Sequence, residues 1–285
     1  MTGYHAVLTG ASGGIGAEIA DALASRCENL ILAGRDEGRL GTLADRLSRR
    51  HDTLRVSTVA GDLTDESTLQ RIEHAARAMA KPPDLLINNA GVNEFHEFET
   101  QDEATILRML NVNLYAPIAV SHRLLPLLKA APGAQIVNVG SMLGYIGYPG
   151  YAAYCASKFG LRGFSEALRR ELSDSSVMVR YFAPRTTATT LNSPAVSAMH
   201  RDLRTSQDTP RLVADRLMRF IGTTAGECRI GFPDRLYAFL NRLVPAITDR
   251  AIAGQLGVIR KYLPASRPSP EKGRLDVQHQ EPAEH

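Results

Sequence analysis

The sequence has few cysteines and no long apolar run, and each shortage excludes a class of protein. Its three cysteines, Cys27, Cys155 and Cys228, stand singly without a Cys-x-x-Cys pair. This argues against a disulfide framework or a thiolate metal site, so no metal is predicted and the thiols are expected to stay reduced. No apolar stretch approaches the roughly 20 residues that span a bilayer, and the N-terminal apolar run is too short for a signal peptide. We therefore expect a cytoplasmic protein.

A strong net charge is also missing. The formal net charge is +3, from 33 basic and 30 acidic residues that are interspersed along the chain. Because nucleic-acid binding requires a basic stripe that neutralises phosphates, nucleic acid is not an expected partner. The 285 residues, 44% of them hydrophobic, suffice for one large domain with a sizeable core.

Short β-rich runs alternate with helical patterns. The predicted strands are 6–8, 30–32, 56–59, 85–87, 135–139 and 177–182, and the predicted helices lie near 14–25, 37–50, 66–80, 101–130, 152–173 and 210–221. This alternation requires right-handed crossovers and a parallel sheet that is covered on both faces. We predict an α/β fold over residues 1–233 with one doubly wound, Rossmann-type sheet, and ligands beyond the carboxyl ends of its strands.

A glycine-rich turn follows the first predicted strand. Residues 9–16 read TGASGGIG, between an apolar run at 6–8 and a helical pattern from 17 onward. Backbone can approach a pyrophosphate closely only where no Cβ intrudes, and the following helix directs free N–H groups at an anion. In this strand-turn-helix context, the run predicts a dinucleotide-binding site.

The ends of the second and third predicted strands carry residues that contact a nucleotide in such folds. Gly34 and Arg35 favour NADP, because an arginine pairs with a 2′-phosphate whereas an acid binds a free ribose hydroxyl. The adjacent Asp36 leaves NAD open, and Arg35 is alternatively a solvated residue at a helix entrance. Asp62, after the third strand, is placed either to accept the adenine amino group or to cap a helix, and the two roles are compatible.

A tyrosine and a lysine lie one helical turn apart. Tyr154 and Lys158 fall in the helical pattern of 152–173, so they share one helix face. An ammonium near a phenol stabilises the phenolate and lowers the tyrosine pKa, which makes the hydroxyl usable as a general acid or base near neutrality. Taken alone, the pair is also common on solvated helix faces.

Three ordered motifs together resemble the short-chain dehydrogenase/reductase family. They are the glycine turn at 9–16, the sequence NNAG at 88–91 and the Tyr154 to Lys158 segment, and the likeness covers residues 4–190, with a weaker correspondence through 231. The resemblance implies a catalytic tetrad of Asn113, Ser141, Tyr154 and Lys158. The cofactor contacts that it implies are Gly10, Ser12, Gly14, Ile15, Gly16, Arg35, Asp62, Leu63, Asn89, Gly91, Tyr154, Lys158, Thr187 and Thr189.

The resemblance also implies a role for each member of the tetrad. Tyr154 protonates the substrate oxygen as hydride arrives from the nicotinamide, and Ser141 donates a hydrogen bond to the same oxygen. Lys158 binds the nicotinamide ribose and tunes Tyr154. Asn113 holds a water that links Lys158 to solvent, or stabilises a kink in its own helix, or does both.

The sequence departs from the family pattern after the sixth strand. Arg185 replaces a glycine there, while Thr187 and Thr189 keep the places of residues that hold the nicotinamide carboxamide. Arg185 either binds an acidic substrate or a carrier phosphate, or points outward. The polar segment from Thr189 through about Pro210 is expected to close over the substrate as a lid.

Residues 234–263 form a basic, amphipathic extension with apolar residues at helical spacing, namely Leu236, Phe239, Leu240 and Leu243. We expect two helices, with a break at Pro245 and the second helix capped by Thr248. They either lie on an anionic membrane surface, which would make the protein peripheral to the membrane, or pack against their own domain or a second subunit. Residues 264–285 are predicted to be a disordered tail.

The sequence thus predicts an NADP-dependent ketone reductase or alcohol dehydrogenase that acts on a small molecule. Lipid-like substrates, including acyl groups on a carrier protein, are a narrower hypothesis. The alternative is a non-catalytic, dinucleotide-binding regulatory or membrane-scaffold protein, and the intact tetrad speaks against it. We expect a homodimer or homotetramer, because the family tends to pair through the helices that here lie near 101–130 and 152–173.

Overall fold

The computed structural model describes residues 3–189, 191–232 and 234–264. Its strands are β1 (Tyr4–Thr9), β2 (Cys27–Gly34), β3 (Arg55–Ala60), β4 (Leu85–Asn88), β5 (Gln135–Val139), β6 (Met178–Ala183) and β7 (Glu227–Arg229). They form one sheet in the order β3-β2-β1-β4-β5-β6-β7, and every neighbouring pair is parallel. The predicted doubly wound fold is confirmed. The strand order changes sides between β1 and β4, because β2 and β3 lie on one side of β1 and β4 to β7 lie on the other. Such folds bind ligands at this point.

Helices cover both faces of this sheet. They are α1 (Ile15–Ala24), α2 (Glu37–Arg50), α3 (Glu66–Arg77), α4 (Glu103–Leu110), α5 (Ala116–Lys129), α6 (Ala152–Glu171), α7 (Pro194–Asp202), α8 (Pro210–Ile221), α9 (Asp234–Leu243), α10 (Pro245–Ala253) and α11 (Leu256–Tyr262). The long helix predicted near 101–130 is in fact two helices, α4 and α5, joined by a π-helical segment at Asn111–Tyr115. None of the helices within the described ranges combines the length and the apolar content that a membrane span requires.

The central strands contain runs of apolar residues because both of their faces are covered. In β1, Ala6 and Leu8 face a core formed with α1, α2 and α8, whereas Val7 faces a second core formed with α3 and α5. All three side chains are fully buried. The sheet is therefore a rigid layer between two cores, and it fixes the position of the loops at its carboxyl edge.

A buried arginine joins β6 to the end of α8. The Arg180 side chain is 1% exposed and its guanidinium lies 4.0 Å from the ring centroid of Phe220. The last carbonyls of a helix have no partner within the helix. Arg180 supplies one, since it donates hydrogen bonds to the carbonyls of Phe220, Ile221 and Ala225 and to the side chains of Gln135 and Thr223.

The C-terminal extension differs from its prediction. It contains three helices rather than two, and the second begins at Pro245, so Thr248 lies inside α10 and does not cap it. Proline suits the first turn of a helix, where its missing N–H would have no partner in any case. The division of the chain at 233 and 263 stays a prediction. Residues 265–285, most of the predicted tail, lie outside the described residues.

Candidate active site

The glycine turn has backbone geometry that only glycine provides without strain. Gly10 and Gly14 adopt φ of +66° and +54°. A Cβ on Gly10 would lie 2.6 Å from the Cα of Ala90, and one on Gly16 would lie 1.9 Å from the carbonyl oxygen of Gly10. The turn is thus packed closely from within, and α1 starts at Ile15 with its free N–H groups directed at the turn. This cradle fits the pyrophosphate of a dinucleotide.

A cavity of about 820 Å³ begins at this turn, crosses the carboxyl ends of the central strands and ends beneath the C-terminal helices. Of the residues predicted for the tetrad and the cofactor contacts, all except Gly16 and Asn113 line this cavity. Gly16 instead allows α1 to pack on Gly10, and Asn113 lies behind the cavity wall, fully buried. The structure therefore brings together residues that stand more than 170 positions apart in the sequence.

Asn89 holds the glycine turn against β4. Its side-chain amide donates to the carbonyls of Thr9 and Gly10 at 3.3 and 3.1 Å, while the Thr9 hydroxyl accepts from the backbone N–H groups of Asn89 and Ala90. The neighbouring Asn88 is buried and bonds to Ser121 and Asn138. The two asparagines of the NNAG motif thus fasten the sheet edge rather than reach into the cavity with free amides.

The nucleotide-selecting end of β2 contains two arginines. Arg35 and Arg39 both line the cavity, and a Cβ at Gly13 would lie 3.9 Å from Nη1 of Arg39. Asp36 caps α2, accepting a hydrogen bond from the Arg39 N–H at 2.9 Å, and its carboxylate also pairs with the Arg39 side chain at 3.2 Å. Sequence reasoning missed Arg39, although it lies one helical turn after Arg35. Because Asp36 is engaged in this way, it is a weak candidate for binding a ribose.

Asp62 closes β3 in a local turn. Its carboxylate accepts hydrogen bonds from the N–H and hydroxyl of Thr64 at 2.9 and 2.8 Å. Burial alone would raise the pKa of Asp62, but the Thr64 bonds and the nearby charge of Arg35 outweigh it and lower the pKa. The alternative that Asp62 caps a helix is wrong, because the N-cap of α3 is Asp65.

Ser141 and Tyr154 face each other at the centre of the cavity. Ser141 follows β5 and caps a short 3₁₀ turn at Met142–Gly144, while Tyr154 stands in the first turn of α6. Burial raises the pKa of Tyr154 to about 12, and a hydrogen bond with the Ser141 side chain acts in the opposite direction. The predicted lowering of this pKa is therefore wrong. The phenol is protonated near neutral pH, which suits a proton donor.

Lys158 lies below the Tyr154 ring, with Nζ 5.8 Å from the ring centroid. The ammonium donates to the carbonyl of Val139 at 3.2 Å, and burial lowers the pKa of Lys158 to about 8. Because Lys158 lies at this distance and burial disfavours its charge, it does not lower the pKa of Tyr154 enough to offset the rise that burial causes.

Tyr181, a residue that sequence reasoning missed, holds the two catalytic elements together. Its hydroxyl accepts from the N–H of Ser141 at 3.3 Å and donates to the carbonyl of Lys158 at 3.2 Å. Tyr181 is fully buried in β6, next to β5 in the sheet. No sequence motif distinguishes it from an ordinary core tyrosine.

Asn113 lies in the π-helical segment, as expected of a residue that interrupts its helix. Its side chain bonds to both the N–H and the carbonyl of Val92, at 2.8 and 2.9 Å, and to the Ser157 hydroxyl at 3.1 Å. A Cβ on Gly91 would lie 3.3 Å from Oδ1 of Asn113 and 3.7 Å from Nζ of Lys158. Asn113 thus joins the loop after β4 to α6 close to the lysine. Its role in holding a water stays a prediction.

Arg185 does not point outward, as one of the two alternatives had it. It lines the cavity, and its guanidinium pairs at 2.6 Å with Asp208, a carboxylate that is 3% exposed. Thr187 forms a backbone bridge with the same Asp208. Arg185 therefore fixes the segment after β6 to the residues that precede α8, and Thr187 and Thr189 line the cavity beside it.

The far end of the cavity is formed by the lid segment and the extension. His200 and Leu203 line it from the predicted lid, whereas Ile252 and Gln255 line it from the extension. The Tyr148 hydroxyl donates to Oε1 of Gln255 at 2.9 Å, which joins the loop before α6 to the extension at this end of the cavity. The sequence did not predict this contribution, because amphipathicity does not identify what a helix will pack against.

Comparisons with known proteins agree with this geometry. The family model described as short chain dehydrogenase matches residues 4–200. Nodulation protein G of Rhizobium sp. is 34% identical over 185 residues, which cover 65% of this chain and 73% of that protein. The ketoacyl reductase HetN of Nostoc sp. is 28% identical over 228 residues, which cover 78% of this chain and 76% of that protein.

A solved structure extends the likeness to nearly the whole chain. The short-chain dehydrogenase from Sphingobium yanoikuyae in complex with NADPH superimposes with a TM-score of 0.71 at 25% identity, covering 94% of this chain and 99% of that one. The glycine cradle, the seven-stranded sheet and the matched family model lead to the same assignment. The chain belongs to the short-chain dehydrogenase/reductase family and is an oxidoreductase that uses a nicotinamide dinucleotide.

Proposed function

We propose that this protein reduces a ketone with NADPH, or oxidises the corresponding secondary alcohol in the reverse direction. The observation that carries the proposal is the placement of the Tyr154 and Ser141 hydroxyls side by side in the cavity that begins at the glycine cradle. The complex of a relative with NADPH supports the choice of cofactor. Two arginines at the end of β2 support it further.

Each part of the cavity has a proposed task. The turn from Gly10 to Ile15 holds the pyrophosphate, Arg35 and Arg39 hold the 2′-phosphate, and Asp62 meets the adenine. Lys158 holds the nicotinamide ribose, and Thr187 and Thr189 hold the carboxamide. When bound, NADPH supplies the hydride that reduces the carbonyl carbon.

The proton step belongs to the protein. Ser141 donates a hydrogen bond to the carbonyl oxygen and Tyr154 transfers its proton to that oxygen as negative charge develops. Because Tyr154 is a protonated phenol at neutral pH, it is ready for reduction without prior activation. Lys158 keeps positive charge near the phenol as the proton leaves.

The substrate end favours an apolar ketone. Leu143, Ile146, Tyr148, Tyr151 and Ile252 line it beside the polar His200 and Gln255, so a substrate body would have a large apolar surface to contact. The hypothesis of a carrier-linked or acidic substrate drew on Arg185, whose charge is already balanced by Asp208. We therefore propose an uncharged, lipid-like ketone.

The direct test is to incubate the purified protein with NADPH and a panel of ketones of increasing apolar size, and to follow NADPH consumption by absorbance. We expect turnover, with higher kcat/KM for the larger apolar ketones. Tight NADPH binding without turnover on any ketone would favour the non-catalytic, regulatory protein instead.

Replacing Arg35 with Ala is expected to raise the KM for NADPH about tenfold and to leave the KM for NADH unchanged, because only NADPH carries the 2′-phosphate. Steady-state kinetics with both nucleotides measures this. Arg49→Ala, an exposed arginine on α2 away from the cavity, is the matched control and should change neither value. An equal rise in the KM values for NADPH and NADH would contradict the role of Arg35.

The rate of reduction is expected to fall as the pH rises through about 8. Reduction needs the Tyr154 proton and the Lys158 ammonium, and with pKa values of about 12 and about 8 both groups are protonated below pH 8. The lysine loses its proton first as the pH increases, so kcat should be level on the acid side and decline on the alkaline side. Lys158→Arg keeps the charge and should remove the decline, and an unchanged profile in this variant would refute the assignment.

A homodimer or homotetramer that pairs through α4 to α6 stays part of the proposal. Leu107, Tyr115 and Phe159 are exposed apolar side chains on this part of the chain, as an interface would require. Sedimentation equilibrium measures the assembly, and a monomer at all concentrations would contradict it.

A further inference from the structure

The outer side of α9 is apolar and is not packed against the domain. Leu236, Phe239 and Leu243 are 45%, 53% and 60% exposed. The side of α9 that faces the domain carries Ala238, which is 4% exposed, and Asn241, whose amide donates to the carbonyl of Tyr145 at 3.0 Å. A surface helix normally turns its apolar side inward. Packing of this stripe against its own domain, one of the alternatives that the sequence left open, is therefore wrong for the three exposed residues.

The apolar surface continues beyond α9 on both sides. Within the described residues, seven of the 13 large apolar side chains that are exposed fall between positions 232 and 247. Six of them make up what we name the α9 face: Phe232, Leu236, Phe239, Leu243, Val244 and Ile247. Single exposed apolar residues need no explanation, but a group concentrated in one short stretch of the chain indicates a contact surface.

Cations accompany the α9 face. Arg235, Arg242 and Arg250 are exposed next to it. The segment 234–263 contains five basic and two acidic residues, so its net charge is +3. The net charge of the whole chain is also +3. Apolar side chains flanked by arginines complement an anionic lipid surface, where the apolar groups enter the acyl boundary and the cations meet the headgroups.

The α9 face adjoins the rim of the cavity. Tyr237 lies on α9 between Leu236 and Phe239, is 47% exposed and also lines the cavity. Ala251 and Ile252 of α10 line the same end. The helices that bear the outer apolar surface thus also form the wall of the substrate site, and an apolar molecule leaving a bilayer would meet the cavity first at Tyr237.

We infer that the α9 face docks on an anionic lipid surface and that an apolar ketone dissolved in the bilayer enters the cavity past Tyr237. The inference rests on the proposed function for its substrate, whereas the docking itself does not require turnover. A second copy of this chain is the other occupant that would cover an apolar face, and the experiment separates the two.

The test is co-sedimentation of the full chain with vesicles of phosphatidylcholine that contain about one third phosphatidylglycerol, with pure phosphatidylcholine as comparison. We expect binding to the anionic vesicles. Combining Leu236→Ser, Phe239→Ser and Leu243→Ser should weaken it about tenfold or more, since three apolar groups no longer leave water. Phe98→Ser, which removes an apolar side chain that is 66% exposed elsewhere, is the matched control and should bind normally. Arg235→Gln with Arg242→Gln should reduce the preference for anionic vesicles.

Activity supplies the second measurement. The triple serine variant should reduce a water-soluble ketone with unchanged kcat and KM, because its three positions do not line the cavity. Its KM for an apolar ketone supplied in vesicles should rise about tenfold, in parallel with the lost docking. Failure of the unaltered chain to bind anionic vesicles, or a triple variant that binds them normally but sediments at a smaller mass, would overturn the inference. Absence of turnover on every ketone, with vesicle binding intact, would refute the proposed function and leave the docking standing.

Discussion

Tyr154→Phe is expected to lower kcat for ketone reduction by about a factor of 10² to 10⁴, the usual contribution of a general acid. The substitution removes one hydroxyl and keeps the ring, so the cavity retains its shape and the partner Ser141 retains its place at the start of its 3₁₀ turn. The affinity for NADPH should stay within about twofold, because Tyr154 contributes a proton and little binding energy. Steady-state turnover gives kcat, and titration of NADPH fluorescence gives the Kd.

Tyr151→Phe is the matched control for this experiment. Tyr151 also lines the cavity, and its ring packs edge-on against Tyr154 with centroids 6.2 Å apart. The residue four positions after Tyr151 is Cys155 and not a lysine. The Tyr151 hydroxyl forms a hydrogen bond with Asn93. We expect kcat to fall by less than about tenfold. An equal fall in kcat in the two variants would show that packing of the tyrosines, rather than proton transfer from Tyr154, supports activity.

Arg180→Leu is expected to lower the free energy of unfolding by about 1.5–3 kcal/mol, because buried neutral acceptors lose their hydrogen bonds to a charged donor. The buried carbonyls of Phe220 and Ile221 at the end of α8 would lose their charged donor and keep only the neutral donors Thr223 and Gln135. Leucine fills part of the volume but offers no N–H group. Urea unfolding followed by circular dichroism measures the change.

Arg219→Leu provides the comparison for Arg180, because Arg219 is exposed on the same helix. A surface substitution of this kind changes the free energy of unfolding by about 0.5 kcal/mol or less. Were Arg180→Leu to cost no more than that, the buried arginine would be dispensable, and packing with the bonds from Gln135 and Thr223 would suffice to hold the end of α8.

Most of the sheet could be predicted from the sequence, and the exceptions have a physical reason. Strands such as β1 and β4 are buried on both faces, so each contains a short apolar run that the sequence shows. The edge strand β7 reads Glu-Cys-Arg and is only half-buried, so it offers neither an apolar run nor an alternation. The π-helical segment in the predicted helix at 101–130 depends on side-chain bonds of Asn113 to a distant loop, which no local pattern encodes.

The candidate site divides in a similar way. The tetrad is what the resemblance to the family implies, whereas the glycines follow from the steric needs of a close backbone approach. The pKa of Tyr154 could not be predicted, because burial in the folded cavity exceeds the effect of a lysine four residues away. The alternative that Arg185 points outward is wrong because its partner, Asp208, lies 23 residues further along the chain and could not be identified from the sequence. Contacts set by tertiary packing, rather than by the local chain, account for both errors.

The hydroxyl of Tyr181 has a consequence for motion. It anchors the loop of Ser141 and the backbone of α6 to the sheet, upstream of the segment after β6 that we predict to close over the substrate. Opening and closing of such a lid would therefore leave Tyr154 and Ser141 in place. Because Ser141 and α6 are both fixed to the central sheet, each turnover can begin from the same catalytic geometry.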